Sequence, residues 1–237
     1  MNKNYQTYNQ DSLIGLSQLK DNSVDLIFTD PPYGIRGDQL DQHYNRDVSQ
    51  VVTGYHEIKS EDYAQWALSW IKQCERVLKP NGSMYIISGY TNLHHILNAL
   101  HSTKLREVNH LICQYSFGVY TKNKWVSSHY HMLYWAKGKK HTFNTNAVYP
   151  DTKSSYNDRL TVQTLSREYQ KNQIKNVNQL PVKFIEKFIK YSSNPGDTVL
   201  DPFSGSFSTG RAAHNLDRNF IGFEINSEAY QQFGSCP

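Results

Sequence analysis

Two apolar runs in this chain stop at the same punctuation. Val24-Asp-Leu-Ile-Phe-Thr29 runs straight into Asp30-Pro31-Pro32-Tyr33, and Thr198-Val-Leu200 runs into Asp201-Pro202. Proline cannot continue a central ladder, so each run reads as a buried strand that ends at its aspartate. Strand-like and helix-like periods alternate around these two runs. Tyr5–Asn9 predicts a strand, and Leu13, Leu16 and Leu19 follow at helical spacing behind an Asp or Ser cap. Ser60 to Leu78 predicts a helix with Ala64, Ala67, Leu68, Ile71, Cys74 and Leu78 inward, ended by Lys79-Pro-Asn-Gly82. Ser83–Ser88 then predicts a strand, and Leu93, Ile96, Leu97 and Leu100 mark the next helix. Two strand-like stretches lie around Val108–Phe117 and His129–Ala136, after which the pattern dissolves between about 138 and 178. It returns as a proline-started helix from Pro181 to Tyr191, with Val182, Ile185 and Ile189 inward, and a last strand, Phe220–Phe223, closes on Glu224. This alternation predicts an α/β fold with a doubly wound sheet.

Length allows one such domain with a small insertion: the chain has 237 residues, 38% of them hydrophobic, and a mean hydropathy of −0.67. The longest apolar runs stop far short of a membrane span, and the Met1-Asn-Lys-Asn-Tyr5 start has no apolar core of the signal-peptide kind. Cys74, Cys113 and Cys236 are too scattered for a disulfide framework or a zinc site, so no metal is expected and a cytoplasmic protein is. The net charge of +4 conceals a division. Residues 118–190 carry thirteen Lys/Arg against four Asp/Glu, and the remainder carries twelve against seventeen. A basic segment in an acidic body points to a surface that meets a polyanion, although solvated lysines clustered by chance give the same count.

The chemistry lies at the carboxyl ends of the predicted strands, where doubly wound sheets bind ligands. An exocyclic base amine is a poor nucleophile because its lone pair is delocalised into the ring. A carboxylate oxygen and a proline carbonyl can accept its two protons and return electron density to the nitrogen. In Asp30-Pro31-Pro32-Tyr33 the prolines fix φ, so the carbonyl is held in place beforehand, and the aromatic ring can stack on a base swung out of a duplex. Asp201 to Gly210 reads as a strand–turn–helix loop of small residues that lets backbone approach a ligand, and a tight turn explains it about as well. Glu224 follows about twenty residues later, where an acid reaches ribose hydroxyls.

Together these residues resemble the amino-methylating DNA methyltransferases, specifically the permuted β group of adenine-N6 enzymes. The likeness spans nearly the whole chain. It includes Gln10-Asp11, the Asp30-Pro-Pro-Tyr strand, Val77-Leu-Lys-Pro-Asn-Gly-Ser-Met-Tyr85, Met132-Leu-Tyr-Trp-Ala-Lys137, the Pro181 helix, Asn194 to Ser206, and Asn219-Phe-Ile-Gly-Phe-Glu224. It implies a Rossmann-like methyltransferase sheet with circularly permuted motif order. Residues 1–137 would be its catalytic part, 138–178 a target-recognition insertion and 179–237 its cofactor-binding part. It also implies S-adenosylmethionine as cofactor and transfer of its methyl group to the N6 amine of a flipped adenine in double-stranded DNA. The activity would be that of a site-specific, adenine-specific DNA methyltransferase. The catalytic motif precedes the cofactor loop, and that order favours DNA over RNA.

Carried over by position, Asp30, Pro31, Pro32 and Tyr33 would bind and activate the base. Asp30, Asp201, Pro202, Phe203, Ser204, Gly205 and Ser206 would shape the cofactor pocket, with Glu224 and Ile225 at the ribose, Asp11 at the adenine amine, and Gln179 and Pro181 at the methionine end. The family carries Gly-Thr-Thr-Gly where this chain has Phe207-Ser-Thr-Gly210, which predicts extra bulk beside the cofactor, and the lysine usual before Pro181 is missing. The nucleic-acid contacts expected are Arg36, Lys122, Lys124, Lys137, Lys139, Lys140, Lys153, Arg159, Arg167, Lys171 and Lys175. Arginines suit guanine, lysines suit phosphate, and Tyr149 or Tyr156 could stack or wedge. The loop at 35–59, with Arg36, His43 and Arg46, could close over a flipped base, and a mobile surface loop fits it equally well. His129-x-His131 sits on a strand without a nearby Cys or carboxylate and reads as ordinary. Cytosine-N4 methylation and a catalytically weakened DNA-binding relative are the alternatives. A homodimer and a cognate restriction endonuclease are candidate partners, in a bacterial or phage-encoded setting, with no membrane.

Overall fold

A computed structural model of the chain describes residues 4–34, 58–116, 120, 122–148, 152–165 and 179–235, the side chains of 147 and 152–154 excepted. Its strands are β1 (Tyr5–Asn9), β2 (Val24–Thr29), β3 (Leu78–Ser88), β4 (Arg106–Gln114), β5 (His129–Ala136), β6 (Val162–Thr164), β7 (Thr198–Asp201) and β8 (Asn219–Glu224). Its helices are α1 (Ser12–Gln18), α2 (Tyr63–Val77), α3 (Leu93–His101), α4 (Thr145–Val148), α5 (Thr152–Asp158), α6 (Val182–Ser192), α7 (Ser208–Asn215) and α8 (Ser227–Phe233). The strands form one sheet in the order β1-β8-β7-β2-β3-β5-β4-β6. Every neighbouring pair is parallel except β3–β5 and β4–β5, so β5 alone runs against the rest.

Chain order reverses at the centre of this sheet. β2 leads through α2 to β3 on one side, whereas β7 leads through α7 to β8 on the other, and β2 lies hydrogen-bonded to β7. A crevice opens beyond the carboxyl ends of two such strands because their following connections diverge. Asp30 and Asp201 stand at those two ends.

Helices cover both faces, as parallel strands with near-continuous apolar sequence require. Leu16 of α1, Trp70, Ile71 and Cys74 of α2, and Ile96 and Leu100 of α3 pack with Ile27, Ile86 and Leu133 on one face. Ile185, Phe188 and Ile189 of α6 and Ala212 and Ala213 of α7 pack with Leu26, Phe28, Tyr85 and Met132 on the other. Across β3 and β5, Tyr85 stacks on Tyr134 with ring centroids 4.2 Å apart, and its hydroxyl meets Ser192 Oγ at 2.8 Å. Among the described residues no helix is long and apolar enough to cross a membrane.

Several local expectations need correction. The inward face of α2 holds Tyr63, Ala67, Trp70, Ile71, Cys74 and Val77, while Ala64 is exposed. The bulky aromatic positions at 63 and 70 outcompete a single methyl for the core. β3 starts at Leu78, and the turn read as a terminator is a bulge inside it: register slips between Val24 and Leu26, and Asn81 takes a φ of 73°. The region expected to lack periodicity contains α4, α5 and β6, too short to register as periods. β6 joins the sheet edge beside β4. Asp158 at the end of α5 pairs with Lys187 at 2.6 Å and accepts from Tyr191 Oη at 2.7 Å, which ties this region to α6.

Candidate active site

Asp30, partly buried, follows the last residue of β2, and the backbone after it is built to hold a shape. Tyr33 Oη donates to Asp30 Oδ1 at 2.6 Å, and Tyr63 Oη, from the first turn of α2, donates to the Pro32 carbonyl at 2.8 Å. Asn92 sits at the N-cap position of α3 but its side chain makes no cap bond. Its Nδ2 donates instead to the Tyr33 carbonyl at 2.7 Å. Gly34 turns the chain away with a φ of 66°, and a Cβ there would lie 2.4 Å from the Tyr63 ring and 2.5 Å from Asn92 Nδ2. Only glycine fits both constraints.

The second motif abuts the first. Thr29 Oγ1 donates to Asp201 Oδ1 at 2.8 Å across β2 and β7, and the same oxygen accepts from the Phe203 amide at 3.1 Å. Ser204 Oγ bonds back to the Asp201 carbonyl and its amide to the Phe223 carbonyl, both at 2.9 Å. Glu224 Oε2 accepts from the Gly205 amide at 2.7 Å and Oε1 from the Asn226 amide at 2.8 Å. Its carboxylate therefore pins the 201–206 loop to the end of β8. At Gly205, φ is 49° and the space a Cβ would fill is open. That leaves a face of bare backbone at the crevice.

Asp11 follows β1 at the same edge, and its Oδ1 caps α1 by accepting from Leu13 N at 2.8 Å and Ile14 N at 3.2 Å. Pro181, buried, is the N-cap residue of α6, and Gln179 before it is exposed. A helix leading into a parallel strand starts at the carboxyl edge, so both lie near the crevice. Pro202, Ser204 and Ser206 are buried, and Ile225 is 46% exposed.

Sequence reasoning missed α2 as the element that joins the two motifs. Tyr63 holds Pro32, while the Trp66 and Trp70 rings lie 5.4 Å and 5.3 Å from the Phe203 ring. The signal was present as an aromatic stripe at positions 63, 66 and 70. Thr29, Asn92 and Tyr130, whose ring lies 5.9 Å from that of Tyr33, had no signal of their own.

Electrostatics at the crevice is dominated by carboxyls with too little water. Burial, opposed by the Tyr33 hydrogen bond and aided by the charge of Asp201, pushes Asp30 up to about 7. Burial likewise pushes Asp201 up to about 6 against the bonds from Thr29, Thr209 and the Phe203 amide. Burial, with the Asp30 charge behind it, raises the Cys113 thiol to about 12, so it stays protonated.

Two expectations change here. The Phe207 side chain is fully buried among the residues under α6 and α7, with its ring 6.5 Å from Phe220 and 6.2 Å from Tyr230. Its bulk is core, not lining, because a residue at φ 57° at the start of α7 turns its side chain under the helix. Lys137 is no phosphate contact: its Nζ donates to Asn22 Oδ1 at 2.9 Å and to the Glu75 and Leu78 carbonyls at 2.7 Å. Three donors leave none for a ligand. Because β5 is antiparallel, Lys137, Lys139 and Lys140 leave the sheet at the edge opposite Asp30. Lys122 and Lys124 lie in the connection at the near edge and are exposed, and so are Tyr156 within α5 and Arg159 just after it. Arg36, His43, Arg46, Tyr149, Arg167, Lys171, Lys175 and the Lys153 side chain lie outside the described residues.

Comparison with known proteins gives consistent findings. A family model described as DNA methylase matches residues 24–234. The chain is 35% identical over 92% of its length to DNA adenine methyltransferase YhdJ of Escherichia coli K12, covering 77% of that protein. It is 31% identical over 93% of its length to type II methyltransferase M.BamHI of Bacillus amyloliquefaciens, covering 54%. The chain thus spans about half to three quarters of these relatives. The crystal structure of an M1.HpyAVI–SAM complex superposes with a TM-score of 0.69 at 26% identity, over 96% of both chains.

Proposed function

The chain belongs to the DNA methylase family, and on that premise we propose that it transfers the methyl group of S-adenosylmethionine to the N6 amine of adenine in double-stranded DNA. The observation that carries this reading is the Thr29–Asp201 bond, which holds the Asp30-Pro-Pro-Tyr turn and the 201–206 loop side by side at the switch point. The E. coli relative named a DNA adenine methyltransferase supports adenine as the target.

The residues at the crevice fit that cofactor. Bare backbone at Gly205, the Glu224 carboxylate and the Phe203 ring suit an adenosine, with Asp11 and Gln179 as further polar groups for it. When bound, S-adenosylmethionine supplies an electrophilic methyl group on a positive sulfonium. Asp30, ionised, accepts a hydrogen bond from one N–H of the base amine. Tyr63 Oη holds the Pro32 carbonyl in place, and a proline carbonyl of this turn is the second acceptor. Accepting both N–H bonds returns the lone pair to nitrogen and aims it, so orientation provides much of the acceleration. Tyr33 offers its ring to the base. After transfer the nitrogen sheds a proton, and Asp30, with its raised affinity for protons, takes it.

Incubating the protein with S-adenosylmethionine and unmodified bacterial DNA and digesting to nucleosides tests the reading. N6-methyladenine by mass spectrometry is the expected product. N4-methylcytosine, or no modified nucleoside, would overturn it. A cytoplasmic setting, recognition by residues 138–178, and a homodimer or restriction endonuclease as companion belong to the same reading.

A further inference from the structure

Trp125 is 96% exposed, while Trp70 and Trp135 are core residues and Trp66 is packed on the core. Leaving an indole in water forgoes the largest burial gain any side chain can make. Trp125 belongs to the connection between β4 and β5, of which 115, 116, 120 and 122–128 are described, with exposed Lys122 and Lys124 just before it and Tyr120 at 80% exposure. β4 ends at the carboxyl edge, so this connection rises beside the crevice. Its base is anchored there. Tyr115 N donates to the Ser128 carbonyl at 2.8 Å, the Tyr115 and Tyr130 rings lie 4.9 Å apart, and Tyr130 lies 5.9 Å from Tyr33. A line of aromatic rings therefore runs from Tyr33 to the foot of a basic segment that carries a bare indole.

Resting on the methyltransferase reading, we propose that Trp125 is a DNA wedge: its indole enters the base stack where the target base leaves it, and Lys122 and Lys124 hold the flanking phosphates. A duplex is the occupant the chemistry favours. Two cations beside an apolar ring match a polyanion whose interior is a stack of flat rings, and unstacked neighbours are stabilised by an inserted apolar side chain. The five Cα-to-Cα steps from Trp125 to Tyr130 span at most about 18 Å, which keeps the indole within a base-stack's breadth of the Tyr33 end of the crevice.

The probes are two duplexes of the same sequence, one intact and one with a single abasic position, which offers a wedge its gap without need of the recognition site. Trp125 emission should be quenched by the abasic duplex, and the wild type should bind it roughly tenfold tighter than the intact one. Trp125→Ala should lose the quenching and the preference, and Trp125→Phe should keep the preference. Lys122→Gln and Lys124→Gln should each lower the slope of log Kd against log salt by about 0.9 while leaving the preference intact. A preference retained by Trp125→Ala would overturn the proposal. So would a protein whose Trp125→Ala variant differs only by losing self-association in sedimentation. Nucleoside analysis of the same preparations separates the two readings. Quenching without methylation keeps the wedge and sinks the methyltransferase, while methylation without quenching does the reverse.

Discussion

Asp30 shows why a motif needs its surroundings. The carboxyl that a base amine would meet is held near neutrality by burial, with Tyr33 as the hydrogen-bond donor that keeps it from rising further. An ionised acceptor serves the reaction, so kcat/KM should rise with pH through an apparent pKa near 7, read from initial rates. Tyr33→Phe removes a bond to the charged form, and its midpoint should move to higher pH. Asp30→Ala should retain cofactor binding by calorimetry and show no methylation; wild-type activity would remove Asp30 from the mechanism. The tetrapeptide itself was legible because its residue types are scarce and contiguous. The roles of Asn92 and Tyr63 were not, since an asparagine at an N-cap and a tyrosine in a helix carry ordinary explanations until a hydrogen bond shows otherwise.

At the scale of elements, α2 and the start of α7 carry the departures. α2 grips both motifs through Tyr63 and Trp66, so Tyr63→Phe should cost about 1 kcal/mol of stability by removing one buried hydrogen bond, and a larger share of kcat by loosening the Pro32 carbonyl. Urea unfolding and steady-state rates on one preparation check both halves of that statement. Phe207 gains core burial at the expense of a left-handed backbone. Phe207→Gly relieves about 1–2 kcal/mol of strain but forfeits about 3–5 kcal/mol of packing, so the unfolding free energy should fall by about 1–4 kcal/mol. An unchanged urea midpoint would contradict the buried placement. The sequence pattern marked the long elements well because amphipathic spacing repeats within them. It missed α4, α5 and β6, each too short for a period to repeat.

For the whole molecule, Asp30 and Asp201 make the fold sensitive to pH in an unusual direction. Both hold their protons to higher pH when folded than the roughly 4 of an unfolded chain, so the folded state binds more protons between about pH 4 and 7. Their contribution to stability is full below that window and is lost as pH rises through it. Asp30→Asn should therefore gain melting temperature relative to wild type at pH 8 compared with pH 5. The charge division also acquires geometry. Lys137 is internal bonding, Lys139 and Lys140 face away from the crevice, and Lys122 and Lys124 lie at its edge. Lys139→Gln should leave the salt dependence of DNA binding unchanged in a titration where Lys122→Gln lowers it.

The order of the long strands and helices, the ending of two strands at Asp-Pro, and the chemistry of those two ends followed from the chain alone. They depend on neighbours in sequence: proline stops a ladder, and apolar residues recur at the period of the element they build. That the two ends meet was decided in three dimensions. Residues 172 apart share a hydrogen bond only because β2 and β7 pair at the sheet centre. Burial at that place raises both carboxyls, and the reversal of β5 sends part of the basic segment to the far edge. Burial and strand direction are properties of the assembled sheet, and no local period encodes them.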